Sequence, residues 1–160
     1  MKKLIYSLLF LSLLTIFVNY AKATSVHEIL NAIEWVESRK DTSAYNASEQ
    51  ANGCLQIRPI MLADYVRITG DHSIEHSDLI STGTSDIYTA RKLSYKVAEA
   101  VLEHYMRHIE RKGYEVYVKH LVFIWNGGGS AWKRVEYPRG DNKQNNLERY
   151  WDKVQLELTR

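Results

Sequence analysis

The 160-residue chain has one cysteine, two prolines and eight glycines. One cysteine cannot close an internal disulfide, and it cannot supply a cysteine-built zinc site. So little proline and glycine excludes a low-complexity chain. Blocks of like charge are also missing, and with them the basic footprint of a nucleic-acid-binding surface. The remainder is ordinary globular composition, with 45% hydrophobic and 25% charged residues, in a length that suits one domain.

The N-terminus reads as an address. Lys2 and Lys3 precede an apolar run from Leu4 to Val18, broken only by Tyr6, Ser7, Ser12 and Thr15, and Ala21-Lys22-Ala23 comes next. A charged start, an apolar centre and a small-x-small site are the parts of a secretory signal peptide. The run is short for a membrane span, which needs roughly 20 apolar residues. Cleavage after Ala23 is expected, leaving residues 24–160 exported, periplasmic or secreted, with no membrane anchor. Cys54 lies far from that point, so it is not expected to carry a lipid. Of the 21 Lys+Arg, three (Lys2, Lys3 and Lys22) fall in the signal, so the rest of the chain has 18 against 19 acidic residues and a net charge of −1. The apparent excess of +2 belongs to the address.

Helical spacing dominates the chain beyond Ala23. Ser25-Val26-His27-Glu28 has the form of a capping box, and Val26, Ile29, Leu30, Ile33 and Val36 recur at helical intervals. This predicts a helix over 26–38. A polar loop is expected through Asn52, then a short apolar element at Gly53–Ile57. Pro59 is placed to begin a helix that Gly70 ends. A short helix is expected near Asp78, a long one over about 86–111, and another through Val116–Ile124, closed by Asn126-Gly127-Gly128-Gly129. Ser130 could cap a short turn over 131–135, and a last helix is expected over about 145–157. The pattern predicts one all-α domain, 24–160, of five to seven helices.

One carboxylate stands on an unfavourable face. Ile29, Ile33 and Glu37 are spaced i, i+4 and i+8, so Glu37 projects within the apolar stripe, while Glu34 falls at its edge. Partial desolvation raises a carboxyl pKa. The negative end of the helix dipole raises it further in the last turn. Both effects favour a proton held near neutral pH, as a general acid requires.

The neighbouring residues form a pattern. Glu37-Ser38, then Gly53-Cys54-Leu55-Gln56-Ile57, then Ile124-Trp125-Asn126-Gly127-Gly128, and finally Tyr150-Trp151-Asp152-Lys153-Val154 occur in that order. Together they resemble the lytic transglycosylases with a goose-lysozyme-like fold, the transglycosylase SLT domain family. That family shows an E-S pair ending a helix, a G-L-M-Q-I type segment, an A-Y-N-x-G segment and a final Y-V-x-K-V helix. The resemblance implies a lysozyme-like fold and a peptidoglycan glycan strand as partner, cut at its β-1,4 bond to leave a 1,6-anhydro end. It places Glu37 as the sole catalytic acid, Ser38 and Gln56 near that acid and the sugar, and Asn126 on the opposite wall. Tyr150 corresponds to a cleft tyrosine. Trp125 departs from the family's usual tyrosine, and an indole N–H only donates where a hydroxyl can also accept. Cys54 replaces a common leucine.

Tyr45 after the acid, and Trp125 and Trp132 around the glycine turn, are the aromatic candidates for a sugar groove. Trp35 and Trp151 read as ordinary packing. Asp41 and Glu49 are assigned to a polar loop and Asp64 to a surface helix, so no second acid has a claim. That favours the transglycosylase over the hydrolytic muramidase. A module that kept the fold, lost catalysis and binds glycan or a secretion-apparatus protein is the alternative from another class. An antibacterial lysozyme is disfavoured, because a net charge of −1 offers no steering to an anionic wall. No cofactor or metal is expected. His72/His76 and His104/His108 are each spaced i, i+4, but neither pair carries the glutamate of H-E-x-x-H. A monomer is expected.

Overall fold

Helix starts and stops are set locally. A computed structural model describes residues 24–83 and 86–160, and the expected signal peptide, residues 1–23, lies outside them. Helix α1 spans Val26–Ser38. The Ser25 hydroxyl accepts from the Glu28 amide, while Glu28 Oε2 takes the Ser25 amide at 2.7 Å, closing the capping box. Pro59 opens α2, Pro59–Thr69, and Gly70 ends it with φ +70°. A 3₁₀ turn covers His76–Leu79, and α3 runs Ile87–Arg111. Then come α4, Val118–Gly127, and α5, Lys133–Glu136. The last helix, α6, spans Asn142–Leu158. It starts three residues earlier than its apolar spacing predicts, because Asp141 accepts from the Gln144 amide at 2.8 Å and caps a polar first turn. Ser130 caps nothing; α5 grows from a turn in which Ala131 N–H donates to the Gly128 carbonyl.

The fold is mostly helical, and one small correction to the all-α expectation lies in the supposed polar loop. Strands β1, Tyr45–Asn46, and β2, Ala51–Asn52, pair antiparallel with Tyr45 opposite Asn52. Strands of two residues are too short for alternation to register in a sequence. The chain then doubles back, and Asn52 and Ile57 exchange both backbone hydrogen bonds. Gly53 is required here: its φ is +73°, and a Cβ would sit 1.9 Å from the Leu79 carbonyl oxygen.

Helix α1 lies against both α3 and α6 and touches α4, while α2 packs on α3 and α4 on α6. Burial of Ile29, Leu30, Ile33, Leu55, Ile57, Leu102, Ile109 and Val122 makes one continuous core. Each such side chain contributes about 1.5–3 kcal/mol. Cys54 is fully buried within it.

Because α1 is covered on two flanks, its buried face is wider than one stripe and takes in Glu34, which is 0% exposed. Arg91 Nη2 and the Tyr95 hydroxyl, both from α3, donate to Glu34 Oε2, Tyr95 at 2.9 Å. Without such partners a buried carboxylate would cost several kcal/mol. Burial and the nearby Glu34 charge push the Cys54 thiol up to about 12. Among the described residues, no helix is long and apolar enough to cross a membrane.

Candidate active site

Five segments converge at the C-terminal end of α1. Glu37 comes from its last turn, half-buried. Asn46 and Glu49 come from the β-hairpin, and Gln56 and Arg58 from the turn that leads into α2. Trp125 and Asn126 close the far wall from the end of α4. Together with Met61 these residues line a polar hollow of about 160 Å³. Tyr150 of α6 completes it from behind, its hydroxyl donating to Glu37 Oε1 at 2.6 Å.

The backbone of the 53–57 turn is held in place by side chains. Gln56 has φ +49° in the left-handed region, and its Nε2 donates to the carbonyls of Gly53 (2.9 Å) and Ala44 (3.2 Å). That ties the turn to the hairpin. Arg58 Nη2 donates to the Trp125 carbonyl at 3.3 Å, and Nη1 lies 3.7 Å from Glu49 Oε2. One guanidinium thus links three walls of the hollow, and its planar fork suits that geometry.

Glu37 has its pKa raised above the ordinary carboxyl value. Burial is the largest cause. Tyr150, Trp125 and Arg58 each favour the charged form and oppose the rise, while the Glu49 charge adds to it. Tyr150, buried against this carboxyl, is pushed well above its ordinary value by desolvation first and by the Glu37 charge second, so its hydroxyl stays a donor. The arrangement raises the proton affinity of a half-buried acid that lines a polar hollow. Chemically, it can protonate a leaving group and later accept a proton back.

Of the residues singled out from the sequence, Glu37, Gln56, Trp125, Asn126 and Tyr150 come together. Three do not join the lining. Ser38 turns its hydroxyl to the Cys54 carbonyl at 2.8 Å and fastens α1 to the 53–57 turn. Tyr45 is 59% exposed on β1, and its neighbour Asn46 is the residue that faces the hollow. Trp132 is corrected from groove to core: it is 3% exposed and packed among the rings of His108, Tyr114 and His120. Glu49 and Arg58 were missed. Glu49 lies on the hairpin, which folds a polar stretch over the acid. Arg58 stands beside Pro59 with only its proximity to Gln56 to mark it.

The His72/His76 pair does not converge, whereas His104 and His108 both lie on α3. His72 precedes the 3₁₀ turn that holds His76, so the two share no helix face, and His76 Nε2 donates to the Ile57 carbonyl at 2.7 Å. Among the described residues, no three His, Cys, Asp or Glu side chains are gathered as metal ligands. A larger hollow of about 660 Å³ lies along α1 and α3, and the groups lining it form four pairs: Arg91 with Glu34, Lys96 with Asp71, His27 with Glu99 and Glu103 with Arg107.

Comparison of the chain with family models, with curated proteins and with solved structures returns no match.

Proposed function

We propose that this protein cleaves the glycan strand of peptidoglycan, as an exported lytic transglycosylase with a lysozyme-like fold, and that Glu37 is its catalytic acid. The observation that carries the reading is the raised pKa of Glu37 in a polar hollow, with Tyr150 bonded to its carboxyl. Protonated Glu37 gives its proton to the glycosidic oxygen as the C1–O bond breaks. The resulting carboxylate then removes the proton of the sugar's own 6-hydroxyl as that oxygen bonds to C1, closing a 1,6-anhydro ring. Such substrate-assisted chemistry needs one protein carboxylate where most glycosidases use two. The departure at Trp125 is supported rather than idle, since its side chain favours the charged form of Glu37 and Tyr150 supplies a hydroxyl.

A second reading gains from Glu49. It lines the same hollow as Glu37, so a second carboxylate is within the site after all. If Glu49 activates a water in place of the 6-hydroxyl, the enzyme is a hydrolytic muramidase. Mass analysis of digested cell wall separates the two, because the anhydro product is one water lighter. Glu37→Gln should lower cleavage by about 10²–10⁴-fold, the usual worth of a general acid. Full activity in that variant would remove Glu37 from the role. Absence of any cleavage by the wild type would leave a glycan- or secretion-apparatus-binding module as the surviving alternative.

A further inference from the structure

Arg58 is anchored from both sides in the chain. Ile57 before it exchanges both backbone hydrogen bonds with Asn52, and Pro59 after it confines its neighbour to extended backbone. Arg58 accordingly stands at φ −85°, ψ 154° as the N-cap of α2, and its side chain makes no cap bond there. That side chain crosses the hollow instead.

Each end of its fork meets a different wall. Nη2 donates at 3.3 Å to the carbonyl of Trp125, in the last turn of α4. Carbonyls of a last turn have no amide four residues on within the helix, and a cation suits the negative end of the helix dipole. Nη1 lies 3.7 Å from Glu49 Oε2, on the hairpin. The Glu49 side chain is 55% exposed, so this pair adds little to stability. It does determine where the guanidinium charge sits. Among the described residues, Arg58 pairs with Glu49 and not with Glu37, although all three line one hollow. The charged and titratable groups that act on Glu37 are Tyr150 from α6, Arg58 ahead of α2 and Glu49 from the hairpin. Arg58 favours the Glu37 carboxylate and Glu49 opposes it.

Resting on the glycan-cleaving reading, we infer that Arg58 and Glu49 are an opposed pair of positioning residues for the acid. Arg58 fixes the wall that carries Trp125 and Asn126 and sets a positive charge beside Glu37, and Glu49 keeps that charge from pairing with the acid. A planar fork is needed, since one cation must serve two walls at once.

The test combines pH–rate profiles on cell-wall glycan with a measurement that needs no turnover. This is the carbon-13 NMR titration of the Glu37 side-chain carboxyl, assigned by its loss in Glu37→Gln, in the full exported chain. Arg58→Met should move the titration and the alkaline limb of the rate profile to higher pH. It should also lower kcat about 10- to 100-fold with little change in KM, because a misplacement of about 1 Å can cost about 10²-fold. Arg58→Lys keeps the charge without the fork, so the titration should return toward the wild-type position while kcat stays low. Glu49→Gln should move the titration to lower pH, and by less when Arg58 is already replaced by Met, because the guanidinium carries part of the effect.

An unmoved titration in Arg58→Met, or equal shifts from Glu49→Gln with and without Arg58, would overturn the pair. Full recovery of kcat by Arg58→Lys would remove the need for the fork and overturn the wall-fixing role. A collapse of kcat at every pH in Glu49→Gln would make Glu49 a catalytic base and overturn its place here. If the wild type cuts nothing but the carboxyl titrates as expected in the variants, the glycan-cleaving reading fails and the charge pair stands. If the wild type cuts and the titration does not move, the pair fails and that reading stands. Should Arg58→Met not fold, Arg58→Gln, which keeps a donor for the Trp125 carbonyl without the charge, takes its place in the titrations.

Discussion

The Tyr150 hydroxyl donates to Glu37 Oε1 at 2.6 Å, joining two residues 113 positions apart in the chain. The bond favours the carboxylate and opposes the rise that burial produces. Removing it should therefore raise the Glu37 pKa further. If the protonated acid is the active form, cleavage falls as pH rises through that pKa, so Tyr150→Phe should move the alkaline limb of the pH–rate profile to higher pH. Rates measured from pH 4 to 9 for both proteins would show this. A limb displaced to lower pH would mean that the hydroxyl acts on another group.

The same carboxyl makes a stability statement. Its folded pKa lies above the unfolded value of 4.5, so the folded state holds the proton more tightly. The stabilisation from protonated Glu37 is fully present below pH 4.5 and is lost as pH rises through the folded pKa. Above that window the charge is a burden, and Glu37→Gln should stabilise the protein. At pH 3 the gain should vanish. Urea unfolding at pH 3 and pH 8 tests the sign. Gain at both pH values would point to packing instead of titration.

Arg91 should matter to stability more than its surface position suggests. Its side chain is 41% exposed, but its partner Glu34 is fully buried. Arg91→Ala leaves that carboxylate without its cation, and breaking a buried pair from one side costs about 3–5 kcal/mol. The double variant Glu34→Met, Arg91→Met should recover most of the loss, since no charge is then stranded. Denaturant midpoints of the single and double variants measure both steps.

Cys54 should be inert in the folded protein. With its thiol pushed up to about 12, only roughly one molecule in 10⁵ carries the reactive thiolate at pH 7. Iodoacetamide at pH 7 should label it many times faster in 6 M guanidinium chloride than in buffer. Equal rates would place the thiol at the surface.

How much of this was legible in the chain depends on whether the cause is local. Ser25, Pro59, Gly70 and the apolar spacing of α1 and α3 act within a turn or two, and the helices they define stand where the sequence places them. Glu37 was legible for the same reason, since its angle to Ile29 and Ile33 is fixed by one helix. Glu34 was not. Its burial depends on α3 covering a second flank of α1, and no property of α1 alone reports that. Asp141 misled the spacing of α6, because a cap sets a boundary without any apolar residue.

By itself, then, the sequence determined the helical elements, their ends and a carboxyl set on an apolar face. Each arises from backbone hydrogen bonding and hydrophobic periodicity over short range. The tertiary structure alone decided which polar residues meet. It folded the hairpin so that Glu49 reached the hollow of Glu37, set Arg58 between Glu49 and the Trp125 carbonyl, and brought Tyr150 across to the acid. It took Trp132 into the core and left Ser38 tied to the Cys54 carbonyl. Those outcomes rest on desolvation and on hydrogen bonds between distant segments, which exist only once the helices have packed.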